Sequence, residues 1–265
     1  MSASLLSGKV FLLVTGASKG IGRQIAESFG SLLGEGSLVL LLARNSNGLK
    51  ETANKLPKRI KVQTRSVDLR VTDANHLKDI ISKAVGPAGV TQFENAIIVH
   101  NAASIGDLSK PTIALTDFQT WRDYYDLNVF SPAVLNGVFM QLFNEASKVT
   151  RFVINVTSIA ANTPFGSAGY YCSGKAARTM FFKVFATENP NVYVLNYSPG
   201  FVDTDMLHAV ITGITDPSAR NFFREVQSSD LVLTTQQTVN RMIEIIKLQK
   251  FNSGDIIDYS DLLEA

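Results

Sequence analysis

The sequence predicts an α/β protein built on a doubly wound parallel sheet of about seven strands, with helices on both faces. Three observations carry that expectation. Apolar runs alternate with longer amphipathic stretches from one end of the chain to the other. Several runs are apolar at every position, as in Val10-Phe11-Leu12-Leu13-Val14 and Leu38-Val39-Leu40-Leu41-Leu42, which suits strands buried between two helix layers. A glycine-rich turn, Thr15-Gly16-Ala17-Ser18-Lys19-Gly20-Ile21-Gly22, stands between the first such run and the first helical pattern. Together these describe a Rossmann-type fold.

The elements follow in order, and each strand is followed by a residue able to serve a ligand. Strands are expected at 9–15, 37–43, 60–67, 95–100, 151–157, 191–198 and 255–257. Gly16 follows the first, Arg44 the second, Asp68 the third and Asn101 the fourth. Ser158 follows the fifth, Pro199-Gly200 the sixth and Asp258 the seventh. Helical patterns between them include 20–33, 72–85, 116–146 and 169–187. In an open parallel sheet, ligands bind beyond the C-terminal strand ends, so seven such residues on one edge argue for a ligand lying along it. No repeat, low-complexity tract or linker divides residues 1–265, which read as one domain. Segment 203–229 is the least regular and is long enough to form a substrate lid; the plainer alternative is a variable surface excursion.

Composition narrows the function classes. With 45% hydrophobic and 18% charged residues, the chain is ordinarily globular. A net charge of +2, without a basic cluster, argues against nucleic acid. No run is long enough to span a membrane, and no secretory or lipidation signal appears. Cys172 is the only cysteine, which excludes an internal disulfide and points to a reducing compartment, so a cytoplasmic location is expected. Beside Tyr171, Cys172 reads as a small buried thiol rather than a redox centre. His76, His100 and His208 lack ligand spacing, so no metal is expected.

The cofactor end is set by the glycine turn. Gly16, Gly20 and Gly22 permit a tight turn and let the backbone N–H groups around Ser18, Lys19 and Ile21 approach a pyrophosphate. An Asp or Glu after the second strand would bind a ribose 2′-hydroxyl. Arg44 stands there instead, and its planar fork suits a 2′-phosphate. Lys19 adds a second positive charge, so NADP(H) is expected rather than NAD(H). Asp68-Leu69 could hold the adenine edge, although an Asp at a strand end is also a common helix cap.

The chemical end is Ser158 with Tyr171 and Lys175. The two latter residues lie one helical turn apart, whereas Tyr170 is followed four residues on by Gly174. Reducing a carbonyl needs a hydride on carbon and a proton on oxygen. A free tyrosine has a pKa of ~10; bringing it near neutrality takes roughly 4 kcal/mol of phenolate stabilisation. The Lys175 ammonium is expected to supply much of that, Ser158 to donate to the substrate oxygen, and Asn128 to anchor a proton-relaying water. A satisfied polar residue within a helix is the alternative for Asn128.

These residues, with Asn101-Ala102-Ala103 and Ser198-Pro199-Gly200-Phe201-Val202-Asp203-Thr204, resemble the short-chain dehydrogenase/reductase family over most of the chain. The resemblance implies a catalytic tetrad of Asn128, Ser158, Tyr171 and Lys175. It implies nicotinamide contacts from Pro199, Gly200, Val202 and Thr204. Stretches such as Tyr171-Cys172-Ser173-Gly174-Lys175-Ala176-Ala177-Arg178 and Val202-Asp203-Thr204-Asp205-Met206 are similar to its pterin-reducing branch. That similarity implies a pterin substrate near Met206, with Asp258 gripping the guanidine-like edge of the ring. Ala168 departs from the more aromatic pattern of that branch. A generalist carbonyl or diketone reductase and a non-catalytic NADP(H)-sensing protein are the competing functions.

The 169–187 helix is apolar nearly all round, with Ala176, Ala177, Met180, Phe181, Phe182, Val184, Phe185 and Ala186. A helix that only covers a sheet keeps a polar outer face. A homodimer is therefore expected; burial beneath segment 203–229 is the alternative.

Overall fold

The computed structural model describes residues 5–261. The chain opens with β1 (Val10–Thr15), α1 (Gly20–Leu32), β2 (Leu38–Ala43), α2 (Ser46–Asn54), β3 (Lys61–Ser66), α3 (Ala74–Val85) and β4 (Asn95–His100). It continues through α4 (Phe118–Tyr125), a π-helical turn (Asp126–Phe130), α5 (Ser131–Leu142), β5 (Thr150–Val156), α6 (Gly169–Glu188) and β6 (Val192–Ser198). The last part holds β7 (Phe201–Val202), α7 (Asp205–Gly213), α8 (Pro217–Ser228), β8 (Val232–Leu233), α9 (Thr235–Leu248) and β9 (Ile256–Asp258).

Seven strands form one sheet in the order β3-β2-β1-β4-β5-β6-β9. Every pairing in it is parallel. All seven C-terminal ends therefore lie on one edge. The order reverses between β1 and β4, which opens a crevice there. Alternate residues of β1 point to opposite faces and found two separate cores. Val10, Leu12 and Val14 pack with Phe29 of α1 and Met242 of α9. Phe11 and Leu13 pack with Ile81 of α3, Phe139 of α5 and Phe182 of α6. The Phe11 and Phe143 rings lie 5.0 Å apart, and both side chains are fully buried. Each such ring contributes roughly 1.5–3 kcal/mol.

Three local findings differ from the sequence reading. The expected helix 116–146 is interrupted by the π turn, and Pro132 then opens α5. Segment 203–229 is regular: it carries α7 and α8, divided at Asp216, whose side chain caps the Ala219 N–H at 2.9 Å ahead of Pro217. β7 and β8 make a small second sheet outside the expected seven strands. Among the described residues, no helix is long and apolar enough to cross a membrane.

Candidate active site

Strand order fixes the sequence of side chains along the ligand edge. From one side to the other they are Asp68, Arg44, Gly16, Asn101, Ser158, Pro199 and Asp258. Neighbouring strands are about 4.8 Å apart, so the row divides into a half around Arg44 and a half around Ser158.

The glycine turn sits over the crevice. Gly16 and Gly20 have φ of +66° and +57°, the left-handed region that favours glycine. A Cβ on Gly22 would lie 2.4 Å from the Gly16 carbonyl oxygen and 2.5 Å from the Asn101 amide nitrogen. Asn101 acts as the strut of this turn, donating its amide to the Thr15 carbonyl at 3.0 Å and the Gly16 carbonyl at 3.3 Å. The Asn101 and Ala102 N–H groups both donate to the Thr15 hydroxyl at 3.0 Å. Ser18 is fixed by its carbonyl, which accepts from Arg23 at 2.6 Å. Ile21 turns its side chain into the core. Lys19 precedes α1 without a capping side-chain bond, and no acidic residue lies in the first turn. The N–H groups of that turn therefore form a cradle suited to a pyrophosphate.

The charged residues of this half differ in their commitments. Arg44 is exposed at the end of β2; its carbonyl accepts from Ser66 at 2.8 Å, and its guanidinium has no ion-pair partner among the described residues. Lys19 is ion-paired to Asp205 of α7 at 2.5 Å. Asp68 accepts the Arg70 N–H at 3.0 Å and pairs with its guanidinium at 3.4 Å. Leu69 is buried in the core, so only its backbone faces the edge.

The other half gathers the proposed proton donor and its neighbours. Tyr170 and Tyr171 diverge because they are adjacent on α6. The Tyr170 ring packs 4.3 Å from Trp121 and 5.4 Å from Tyr124. Gly174 leaves room for Tyr124, whose Cε1 would lie 2.7 Å from a Cβ there. Tyr171 turns toward Ser158. Burial pushes the Tyr171 phenol up, with the Ser158 hydroxyl opposing it by hydrogen bonding. The Ser158 oxygen also accepts the Ala160 N–H at 3.2 Å.

Lys175 is buried, and its ammonium donates to the Val156 carbonyl at 2.8 Å and the Thr157 carbonyl at 3.4 Å. Its nitrogen lies 5.5 Å from the Tyr171 ring centroid. Burial drives Lys175 well below the ordinary lysine range, with the Arg178 charge adding to the effect. Against the effect of burial on the Tyr171 phenol, the Ser158 hydrogen bond and, after it, the Arg178 charge draw it down. Asn128 lies in the π turn, where its amide accepts the Ser104 N–H at 2.8 Å and donates to the Tyr124 carbonyl at 2.9 Å. Each end of that side chain thus has a partner within the protein.

The open side of this half is bounded by three chain segments. Leu108, Ala168, Leu207, Val210 and Phe223 form an apolar cluster against which Tyr171, Cys172 and Phe165 pack. The segments meet at a joint. Thr215, between α7 and α8, donates its hydroxyl to the Leu108 carbonyl at 3.2 Å. Ser167, at φ +64°, lies 2.9 Å from that hydroxyl and accepts the Asp216 N–H at 3.0 Å. Met206 is partly buried on α7, and Thr204 precedes that helix. Val202 pairs with Leu233 between β7 and β8. The Pro199 carbonyl is held by Thr238 at 2.8 Å, and Gly200 turns the chain at φ +73°. His208 is exposed, with Nε2 2.9 Å from an Asp203 carboxylate oxygen.

Asp258 ends β9 beside Ser198 of β6. One of its oxygens accepts the Ser198 hydroxyl at 2.5 Å; the other accepts the Ser260 N–H at 3.0 Å and hydroxyl at 2.8 Å. Cys172 is half-buried, with its thiol raised by burial, and lies 3.9 Å from the Thr163 carbonyl. Sequence reasoning assigned no part to Thr15, Ser167, Thr215 or Arg178. Thr15 stood in the glycine-turn motif, and Arg178 left a signal as a cation among the apolar residues that follow Lys175.

A family model described as short chain dehydrogenase matches residues 10–214. Sepiapterin reductase of Xenopus tropicalis is 37% identical over 98% of this chain and 100% of its own length. Sepiapterin reductase of Bos taurus is 32% identical over 96% of each. Among solved structures, a short chain dehydrogenase/reductase from Saccharomyces cerevisiae superposes with a TM-score of 0.77 at 26% identity, covering 96% of this chain and 97% of that one.

Proposed function

The chain belongs to the short chain dehydrogenase family, and from that premise we propose that it is an NADPH-dependent carbonyl reductase acting on the side-chain ketone of a pterin, as a sepiapterin reductase does. The observation that carries the reading is the meeting of Tyr171, Ser158 and Lys175 beyond β5, on the same sheet edge as the glycine turn.

The cradle fits the cofactor. The uncapped first turn of α1 accepts phosphate, the absence of a Cβ at Gly22 keeps it open, and Arg44 meets a 2′-phosphate. Lys19, Asn101 and the Asp68-Leu69 backbone border it, and Pro199, Gly200, Val202 and Thr204 border the nicotinamide side. When bound, NADPH supplies the hydride. Ser158 donates a hydrogen bond to the substrate oxygen and steadies the charge that develops there. Tyr171, protonated through the neutral range, gives its phenolic proton to that oxygen. Lys175 restores it, being held at the Val156 carbonyl and poised by burial to release a proton. Asn128 makes one bond at each end of its amide, which leaves one acceptor and one donor site for a relaying water.

On the substrate side, Met206 and Asp258 are the contacts in this reading. A carboxylate has about four acceptor sites. Three are used by Ser198 and Ser260, which leaves Asp258 one for a pterin N–H. That engagement favours the second reading, a generalist carbonyl or diketone reductase that barely needs Asp258. The protein works in the cytoplasm as a homodimer joined through α6. Ala176, Met180 and Val184 form an exposed stripe at i, i+4 spacing, and segment 203–229 leaves it uncovered.

The deciding experiment is NADPH oxidation with sepiapterin, set beside an aromatic diketone, for the wild type and Asp258→Ala. Preference for sepiapterin that collapses in the variant supports pterin reduction. Diketone turnover without that preference, unchanged by the substitution, overturns it.

A further inference from the structure

Arg178 lies one turn beyond Lys175 and two beyond Tyr171 on the inner face of α6, and it is 2% exposed. Its guanidinium donates to the Asn155 side-chain oxygen at 2.6 Å, to the Ala102 carbonyl at 3.0 Å and to the His100 carbonyl. It thereby ties α6 to β5 and to the end of β4, next to the Asn101 strut of the glycine turn.

All three acceptors are neutral. The titratable groups around this centre are His100 on β4, Tyr124 on α4, and Tyr171, Cys172 and Lys175 on α6. None is a carboxylate. Burial, with the Arg178 charge adding to it, brings His100 down to about 3, so it is neutral at physiological pH. Burial lowers Arg178 only to about 10, so it remains a cation. A neutral donor could tie the same oxygens. A buried cation with no opposing charge costs more free energy than a neutral donor making the same bonds, so the charge itself asks for a role.

We propose that Arg178 is a positioning residue of the reduction: a fixed interior cation that eases proton release from Tyr171 while holding β4, β5 and α6 in register. The proposal rests on the reading of Tyr171 as proton donor. A positive charge on the same helix face favours the phenolate over the phenol. It also disfavours the Lys175 ammonium, which keeps that proton ready to move.

Three substitutions test it. Arg178→Gln removes the charge, Arg178→Lys keeps the charge and loses the fork, and Asn155→Asp places a carboxylate against an intact guanidinium. Asn155→Asp also gives up the 2.8 Å bond to Asn196, yet it preserves the bonds made by Arg178. The direct readout is Tyr171 phenolate absorbance against pH, taken as the difference from the same protein carrying Tyr171→Phe. The second readout is the alkaline limb of kcat/KM with sepiapterin and with a phenyl diketone.

In Arg178→Gln and Asn155→Asp, Tyr171 should titrate about one pH unit higher and the limb should move with it, a tenfold change in equilibrium. Arg178→Lys should keep the wild-type position. If Arg178→Gln fails to fold, Asn155→Asp decides. An unmoved titration in the charge-neutralised protein overturns the proposal and leaves Arg178 as a bolt. Retained turnover in Tyr171→Phe overturns the proton-donor reading itself, and this proposal with it.

Discussion

The Lys19 ammonium lies 2.5 Å from the Asp205 carboxylate, joining the glycine turn to the first turn of α7. Lys19 holds the Asp205 carboxyl below its ordinary range. The same pair draws Lys19 away from any phosphate and sets a negative charge beside the cradle. Asp205→Asn should therefore tighten NADPH binding severalfold, with a gain that fades at high salt. Both side chains are largely exposed, so thermal stability should barely move. Fluorescence titration at two salt concentrations checks this, and weaker binding in the variant would show that Asp205 supports the cradle.

Arg44 should decide between the two nicotinamide cofactors. It stands exposed at the end of β2. A charged hydrogen-bonding group contributes about 1.5–3 kcal/mol, roughly 10- to 100-fold. Arg44→Glu should lower the NADPH-to-NADH ratio of kcat/KM by at least that factor. A ratio unchanged within twofold would move the 2′-phosphate site elsewhere.

His100 should make the fold sensitive to mild acid. Its ring is buried, with Nδ1 unpartnered and Nε2 3.4 Å from Asn136. Burial lowers its pKa from 6.5 to about 3, with the Arg178 charge contributing. A lowered pKa gives stability that is present above the unfolded value and is lost as pH falls toward the folded one. The window is thus 6.5 down to about 3. Unfolding free energy should drop by about 2 kcal/mol between pH 7 and pH 5. Denaturant melts of the wild type and His100→Gln test the assignment; equal slopes in the two proteins would exclude His100 as the cause.

The exposed stripe on α6 should be buried between two copies of the chain. Met180 is 60% exposed and Val184 47%. Val184→Glu places a charge in that stripe and should shift sedimentation from dimer to monomer at micromolar concentration. A wild type that already sediments as a monomer removes the dimer.

Much of the fold was legible because buried parallel strands read as unbroken apolar runs. Val10–Val14 and Leu38–Leu42 left no other interpretation. The π turn was not legible, since Asp126–Phe130 has ordinary helical residues and its irregularity accompanies a tertiary bond from Ser104 to the Asn128 amide and a bond from that amide to the Tyr124 carbonyl four residues back. α8 was missed although Asp216-Pro217 is a helix-start signal and its twelve residues equal those of α3, because segment 203–229 was read as one irregular stretch. At the site, side-chain identity pointed to Tyr171 and Lys175, whereas the balance of charges depended on depth. Burial raises one and lowers the other, and sequence spacing carries no information on depth.

The joint of Ser167, Thr215 and Leu108 has an evolutionary consequence. It is a hinge post shared by three segments distant in sequence, and it fixes the spacing between the start of α8 and the approach to Tyr171. Beyond that post the buried Phe223 keeps its place in the cluster against which Tyr171 packs, whereas the exposed Phe222 can change in size at the outer edge of the same helix. Substrate preference can therefore be retuned on the outer face of one helix while its inner face goes on supporting the chemistry.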